Sequence, residues 1–249
     1  MAASAAFPLV FSPVVLKPHH GSCDYEEPDW LTAARYNPEA TSAMQAYAKA
    51  LESYSDPNEV TFLKLLDGGI TDNFGTTGLA VERARSQNAY SPLTAKEAVN
   101  MKRMLFLVAN AGTERDYRWT RKLRGPGGVS LGMAIANSAM GAATRTGYDA
   151  MRLQVANWER DLVEARCALS SAQVRKLRGS TRGWNCAEVK FFVGQVSFAG
   201  LSDGMQKELN EIPTRLRLKE SEVDLAIEAG RKSTLENAEF NGFLRASSS

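Results

Sequence analysis

Apolar and β-branched residues dominate positions 60–66 and stop at Asp67, where two glycines follow at once. That pattern predicts a short buried strand with an abrupt end. A second run, Met104-Leu105-Phe106-Leu107-Val108-Ala109 within 101–109, is continuously apolar, as expected of a strand covered on both faces. A third strand is expected over 187–198, where Val189, Phe191, Phe192, Val193, Val196 and Phe198 cluster. Helical spacing appears first over 38–54, with Ala40, Ala43, Met44, Tyr47, Ala48 and Leu51 in register and Pro38 suited to the first turn. It returns over 75–86, 131–169, 205–210 and 220–231. In the longest of these, Met151, Val155, Trp158, Leu162, Ala165 and Leu169 form one stripe, and Gly147 is expected to divide the segment. Residues 5–15 carry Pro8 and Pro13 and read as extended chain, and 246–249 as a frayed tail.

These elements predict an α/β fold: a mixed or mostly parallel sheet flanked by helices, with a helical C-terminal extension. The best internal boundary is the basic loop at 115–128. It gives an α/β core over 1–114 and a mostly helical part over 115–249 that holds the strand at 187–198. The strands carrying Asp67 and Leu105 are expected to be neighbours in one sheet, with Asp67 accessible at its edge.

An acid at the end of a strand occupies the place where α/β proteins put working residues; the plainer reading is an aspartate that caps a turn. Gly68 and Gly69 permit backbone angles that a side chain resists. Asn73 can fix the turn by bonding its backbone, or be an ordinary turn asparagine.

The stretch Ala3-Ser4-Ala5-Ala6-Phe7-Pro8, followed by Asp67-Gly68-Gly69 with Asn73, resembles the patatin-like phospholipase family. That family carries an A-S-x-A-x-P segment and then a strand ending in D-G-G or D-G-A, with an asparagine shortly after. The resemblance implies a serine acyl hydrolase with a Ser–Asp dyad, in which Asp67 is the base and a lipid ester or membrane surface the partner. It implies no cofactor and no nucleic acid. The family's nucleophile sits in a G-x-S-x-G elbow upstream of the A-S-x-A-x-P segment, so the chain reads as the C-terminal part of such an enzyme.

One G-x-S-x-G does occur, Gly128-Val129-Ser130-Leu131-Gly132. An elbow needs a buried strand before it and a helix after it, and the preceding residues are basic and broken by glycine. Ser130 therefore reads as a helix N-cap, against the alternative of a complete esterase using Ser130 with Asp67. A third reading is a non-catalytic lipid-binding or interaction remnant, for which Arg118 and Arg121, with Tyr117 and Trp119 interleaved, would meet anionic lipid. His19, His20 and Cys23 lie in one polar loop without a fourth ligand, which points away from a metal site. The formal net charge of +2 selects no partner class. Three cysteines, Cys23, Cys167 and Cys186, are widely spaced and odd in number, which suggests free thiols. No run of eighteen apolar residues is present, so no transmembrane segment is expected. Localisation stays open.

Overall fold

A computed structural model describes residues 6–7, 11–19, 25–86, 88–112, 121, 123–213 and 217–248. The fold is mixed α/β, with helix predominating over two small sheets. Two compact units divide the chain: Met1–Gln87 with Gly127–Thr144, and Asn88–Pro126 with Arg145–Ser249.

In the first unit, β1 (Val14–Leu16) pairs antiparallel with β2 (Leu63–Leu65), Val15 opposite Lys64. Helices α1 (Asp29–Tyr36) and α2 (Ser42–Ser55) pack through Leu31, Ala34, Met44 and Ala48, all buried, with Trp30, Leu51 and Val81 against them. Thr41 caps α2 by accepting from the Met44 N–H at 3.2 Å, so the helix begins after Pro38 and not on it. Two short helices follow β2: α3 (Gly69–Asp72) and α4 (Thr77–Arg85).

The second unit contains α5 (Ala95–Asn100), β3 (Arg103–Asn110), α7 (Ser171–Arg178), β4 (Lys190–Ser197), α8 (Asp203–Glu211), α9 (Glu220–Leu235) and α10 (Ala238–Ser247). Helix α6 (Gly128–Cys167) contributes residues up to Thr144 to the first unit and the remainder to this one. Strands β3 and β4 are parallel, Leu105 opposite Phe192. Their apolar faces meet Trp158 of α6, whose ring lies 5.0 Å from Phe191 and 6.0 Å from Phe106, and Phe243 of α10, 5.9 Å from Phe192. The outer edge of β4 is closed by side chains. Phe191 N–H donates to Glu159 at 2.5 Å, Asn237 donates to the Gln195 carbonyl at 2.9 Å, and Ser233 donates to the Ser197 carbonyl at 2.7 Å. Such caps satisfy strand groups that would otherwise be open to another chain.

Several expectations are corrected here. The Asp67 strand and the Leu105 strand lie in different sheets. β3 pairs across eighty-odd residues with β4, so it belongs with the C-terminal elements and the compact units do not divide at 114/115. β2 is three residues long and mostly exposed, with Leu65 and Leu66 facing solvent. Gly147 does not interrupt α6: a lone glycine costs a helix only about 1 kcal/mol, and the buried stripe from Met151 to Leu162 holds it. α10 runs through Ser247, so the first half of the expected tail at 246–249 is helical.

Cys167 and Cys186 form a disulfide, with Cα atoms 4.9 Å apart, in place of the expected free thiols. The end of α6 is brought beside the loop that leads into β4, a proximity that spacing alone does not reveal. Closing a loop of this length restricts the unfolded chain by about 3 kcal/mol. Cys186→Ser is accordingly expected to lower the unfolding free energy of the second unit by about that much in a urea titration. An unchanged midpoint under reducing and non-reducing conditions would show the bond carries no stability.

Candidate functional site

The Asp67 motif is built by β2, the turn after it and α3. Asp67 is half-buried, and its backbone N–H donates to the Ala6 carbonyl at 3.1 Å. That bond joins the two sequence-distant pieces, since Ala6 belongs to the segment before β1. Ala6 and Phe7 are both buried; Ala3, Ser4, Ala5 and Pro8 lie outside the described residues. Asp67 Oδ1 accepts from the Gly69 N–H at 2.8 Å. Its Oδ2 has no partner among the described residues.

The glycines act differently from expectation. Gly68 has an ordinary helical φ of −64° and open space around it, so its backbone does not demand glycine. Gly69 sits in a crowded spot: a Cβ there would lie 2.8 Å from Asn73 Oδ1 and 3.1 Å from Asp67 Oδ1, so the exposed Asn73 side chain would have to shift. Asn73 is exposed and its side chain bonds no backbone group among the described residues; its Oδ1 lies close to Gly69. The left-handed position of the turn is Gly75, φ 66°.

Asp72, unmarked in the sequence reading, does the turn-fixing work. Its Oδ1 accepts from Thr76 N–H at 2.9 Å and Thr76 Oγ1 at 3.2 Å, and its Oδ2 accepts from Thr77 N–H at 2.7 Å. These are the orphan amides at the start of α4. Burial pushes the Asp72 carboxyl up, but the bonds from Thr77 and Thr76 outweigh it and hold the group below the ordinary aspartate value. A depressed folded pKa stabilises above the unfolded value of about 3.9 and is lost as pH falls through the folded one. Asp72→Asn is therefore expected to cost about 1 kcal/mol at neutral pH. The difference from wild type should shrink on acidification below about pH 4; a pH-independent difference in thermal melts would contradict it. The signal for Asp72 was present as D-x-x-x-T-T ahead of a helical stretch.

Ser130 is the third residue of α6, exposed, and no strand leads into it. Gly128, with φ 55°, opens the helix, so Ser130 occupies neither a strand-to-helix elbow nor the N-cap position it was expected to take. Among the described residues Ser130 has no hydrogen bond to Asp67 or to any other side chain. His20, Cys23, Tyr117, Arg118 and Trp119 lie outside the described residues; Arg121 is exposed. No helix among the described residues is long and apolar enough to cross a membrane.

The second unit carries a polar centre that sequence reasoning missed. Arg166 of α6 is 1% exposed. It donates to the carbonyls of Ala98 at 3.0 Å, Met101, and Asn185 at 3.2 Å, and its guanidinium lies 5.9 Å from the Trp184 ring. Trp184 in turn donates to the Val99 carbonyl at 3.3 Å. Burial lowers the Arg166 pKa, the charge of Glu188 raises it, and that of Arg178 lowers it again. This centre ties the end of α5 and the start of β3 to the loop before β4, and its contacts are structural. No protein-family model, curated protein or solved structure matches the chain.

Proposed function

We propose that the chain carries the aspartate of a patatin-like lipid acyl hydrolase, with Asp67 as the general base and the serine supplied by a G-x-S-x-G elbow outside residues 1–249. The observation that supports this reading most is the Asp67 N–H bond to the Ala6 carbonyl. It brings both pieces of the motif together while Oδ2 stays without a partner among the described residues. In the first step the serine Oγ attacks the acyl carbon and its proton passes to Asp67; the alcohol leaves with that proton. Water then attacks the acyl-serine, losing its proton to Asp67, which delivers it to the serine Oγ as the acyl–Oγ bond breaks, so that fatty acid, free serine and the Asp67 carboxylate result. The test is ester turnover with the serine supplied, comparing Asp67→Asn and Ser130→Ala with wild type. The first variant is expected to lose about 10²–10⁴-fold in kcat and the second nothing.

A non-catalytic lipid-surface protein is the second reading, favoured by the exposure of Val129, Leu131 and Ile135 along the start of α6. Vesicle binding that persists with no ester turnover under any supply of serine would select it.

A further inference from the structure

In the second unit a groove of about 560 Å³ opens where the start of β3, the loop before β4 and α10 meet. The groove is shallow and open to solvent, so a ligand there would be held by its polar contacts more than by enclosure. Three cationic side chains from three different elements line it: Arg103, Lys190 and Arg245. One carboxylate, Glu188, is also there, and it is already engaged: its Oε1 lies 3.1 Å from Lys102 Nζ and 4.0 Å from Arg103 Nη2. Lys102 and Arg103 hold Glu188 below the usual glutamate range, the bond from Lys102 first. The groove thus keeps an excess of positive charge after its internal pair is counted.

The cations are held by packing. Arg103 Nη1 donates to the Lys102 carbonyl at 2.8 Å, which orients the guanidinium. Lys190 Nζ sits 5.2 Å from the ring of Phe192, itself 6% exposed. Gly242 lets α10 approach that ring, since a Cβ there would already be 3.3 Å from it. The approach presents Arg245, one turn further on, with no partner among the described residues.

We propose that this groove binds a phosphate-bearing ligand. A tetrahedral phosphate offers three outward oxygens, which suits cations arriving from three directions, whereas a planar carboxylate engages one fork well. The Arg103 guanidinium, oriented by its Nη1 bond to the Lys102 carbonyl, contributes a charged fork to the groove. Phe192 gives an apolar floor for the remainder of the molecule. The site shares no residue with the Asp67 motif and does not depend on the acyl-transfer reading.

The experiment titrates the full chain with inorganic pyrophosphate by calorimetry and, separately, with phosphatidylcholine vesicles with and without phosphatidic acid by flotation. Wild type is expected to bind at least one probe, more weakly at high salt. Arg245→Glu and Lys190→Glu, both at exposed positions, should each weaken that binding about ten-fold or more with an unchanged melting temperature. Arg245→Lys should retain most of it. Binding of pyrophosphate identifies a soluble phosphate compound, and binding of phosphatidic acid vesicles alone identifies a lipid headgroup. No binding of either probe, or wild-type affinity in both charge reversals, overturns the proposal. Asp67→Asn should bind as wild type, which separates failure here from failure of the hydrolase reading.

Discussion

Arg166→Ala is expected to cost roughly 3–5 kcal/mol of the second unit's stability, a fall in melting temperature on the order of 10 °C. The residue is fully buried and its guanidinium satisfies the carbonyls of Ala98, Met101 and Asn185. Truncation leaves those acceptors in a dry site and opens a cavity beneath Trp184, and both penalties apply together. A volume-matched Arg166→Met separates them. Removing a buried charge is often harmless when apolar groups replace the whole network, but here the three carbonyls stay behind, so Met should recover the cavity penalty only. Arg166→Lys keeps the charge and loses the planar fork, and should fall between. Urea unfolding followed by tryptophan fluorescence checks all three; a loss below about 1 kcal/mol for the alanine variant would mean that water replaces the guanidinium.

How far the fold could be read from the chain varied with the range of the interaction that decides it. Continuous apolar runs gave β3 and β4 to within a few residues, because the central positions of both strands, Met104 to Val108 and Phe191 to Val193, are apolar and at least partly buried. Periodicity gave α6, whose Met151-Val155-Trp158-Leu162 stripe is buried as expected. Short helices were passed over although their signals are local. Thr94 with Glu97 and Ser170 with Gln173 each form a capping box, at the starts of α5 and α7. Pairing was not legible. That β2 joins β1 and β3 joins β4 depends on contacts distant in sequence, and no residue in β2 encodes its partner. The same holds for Cys167 with Cys186 and for Arg166, whose charge reads as surface until three carbonyls surround it.

At the candidate site the legible part was the motif and the hidden part was its mechanics. Asp67 stands two residues past the end of β2 and is half-buried, whereas the run ending at Leu66 suggested a longer, buried strand with Asp67 open at its edge. What favours Gly69 is the closeness of the Asp67 and Asn73 side-chain oxygens and not its backbone angles. Asp72, which the sequence did not single out, holds the next helix.

Asp67→Asn is expected to lower kcat by about 10²–10⁴-fold in any preparation of this chain that hydrolyses lipid esters. Asparagine is the informative substitution. Its Oδ1 can still accept from Gly69 N–H, so the turn is kept, while an amide nitrogen replaces the oxygen that has no partner among the described residues. A base loss with preserved geometry should leave KM near wild type and remove turnover. Asp67→Ala also removes the turn bond, so a stability loss accompanies its kinetic one. The two effects can be told apart by thermal melts.

The most direct measurement is the hydrolysis of a chromogenic acyl ester by this chain with a G-x-S-x-G serine supplied, wild type beside Asp67→Asn at matched folding. The account predicts turnover in wild type and its near-complete loss in the asparagine variant, with Ser130→Ala unchanged. Equal turnover in wild type and Asp67→Asn would contradict it and remove Asp67 from the chemistry.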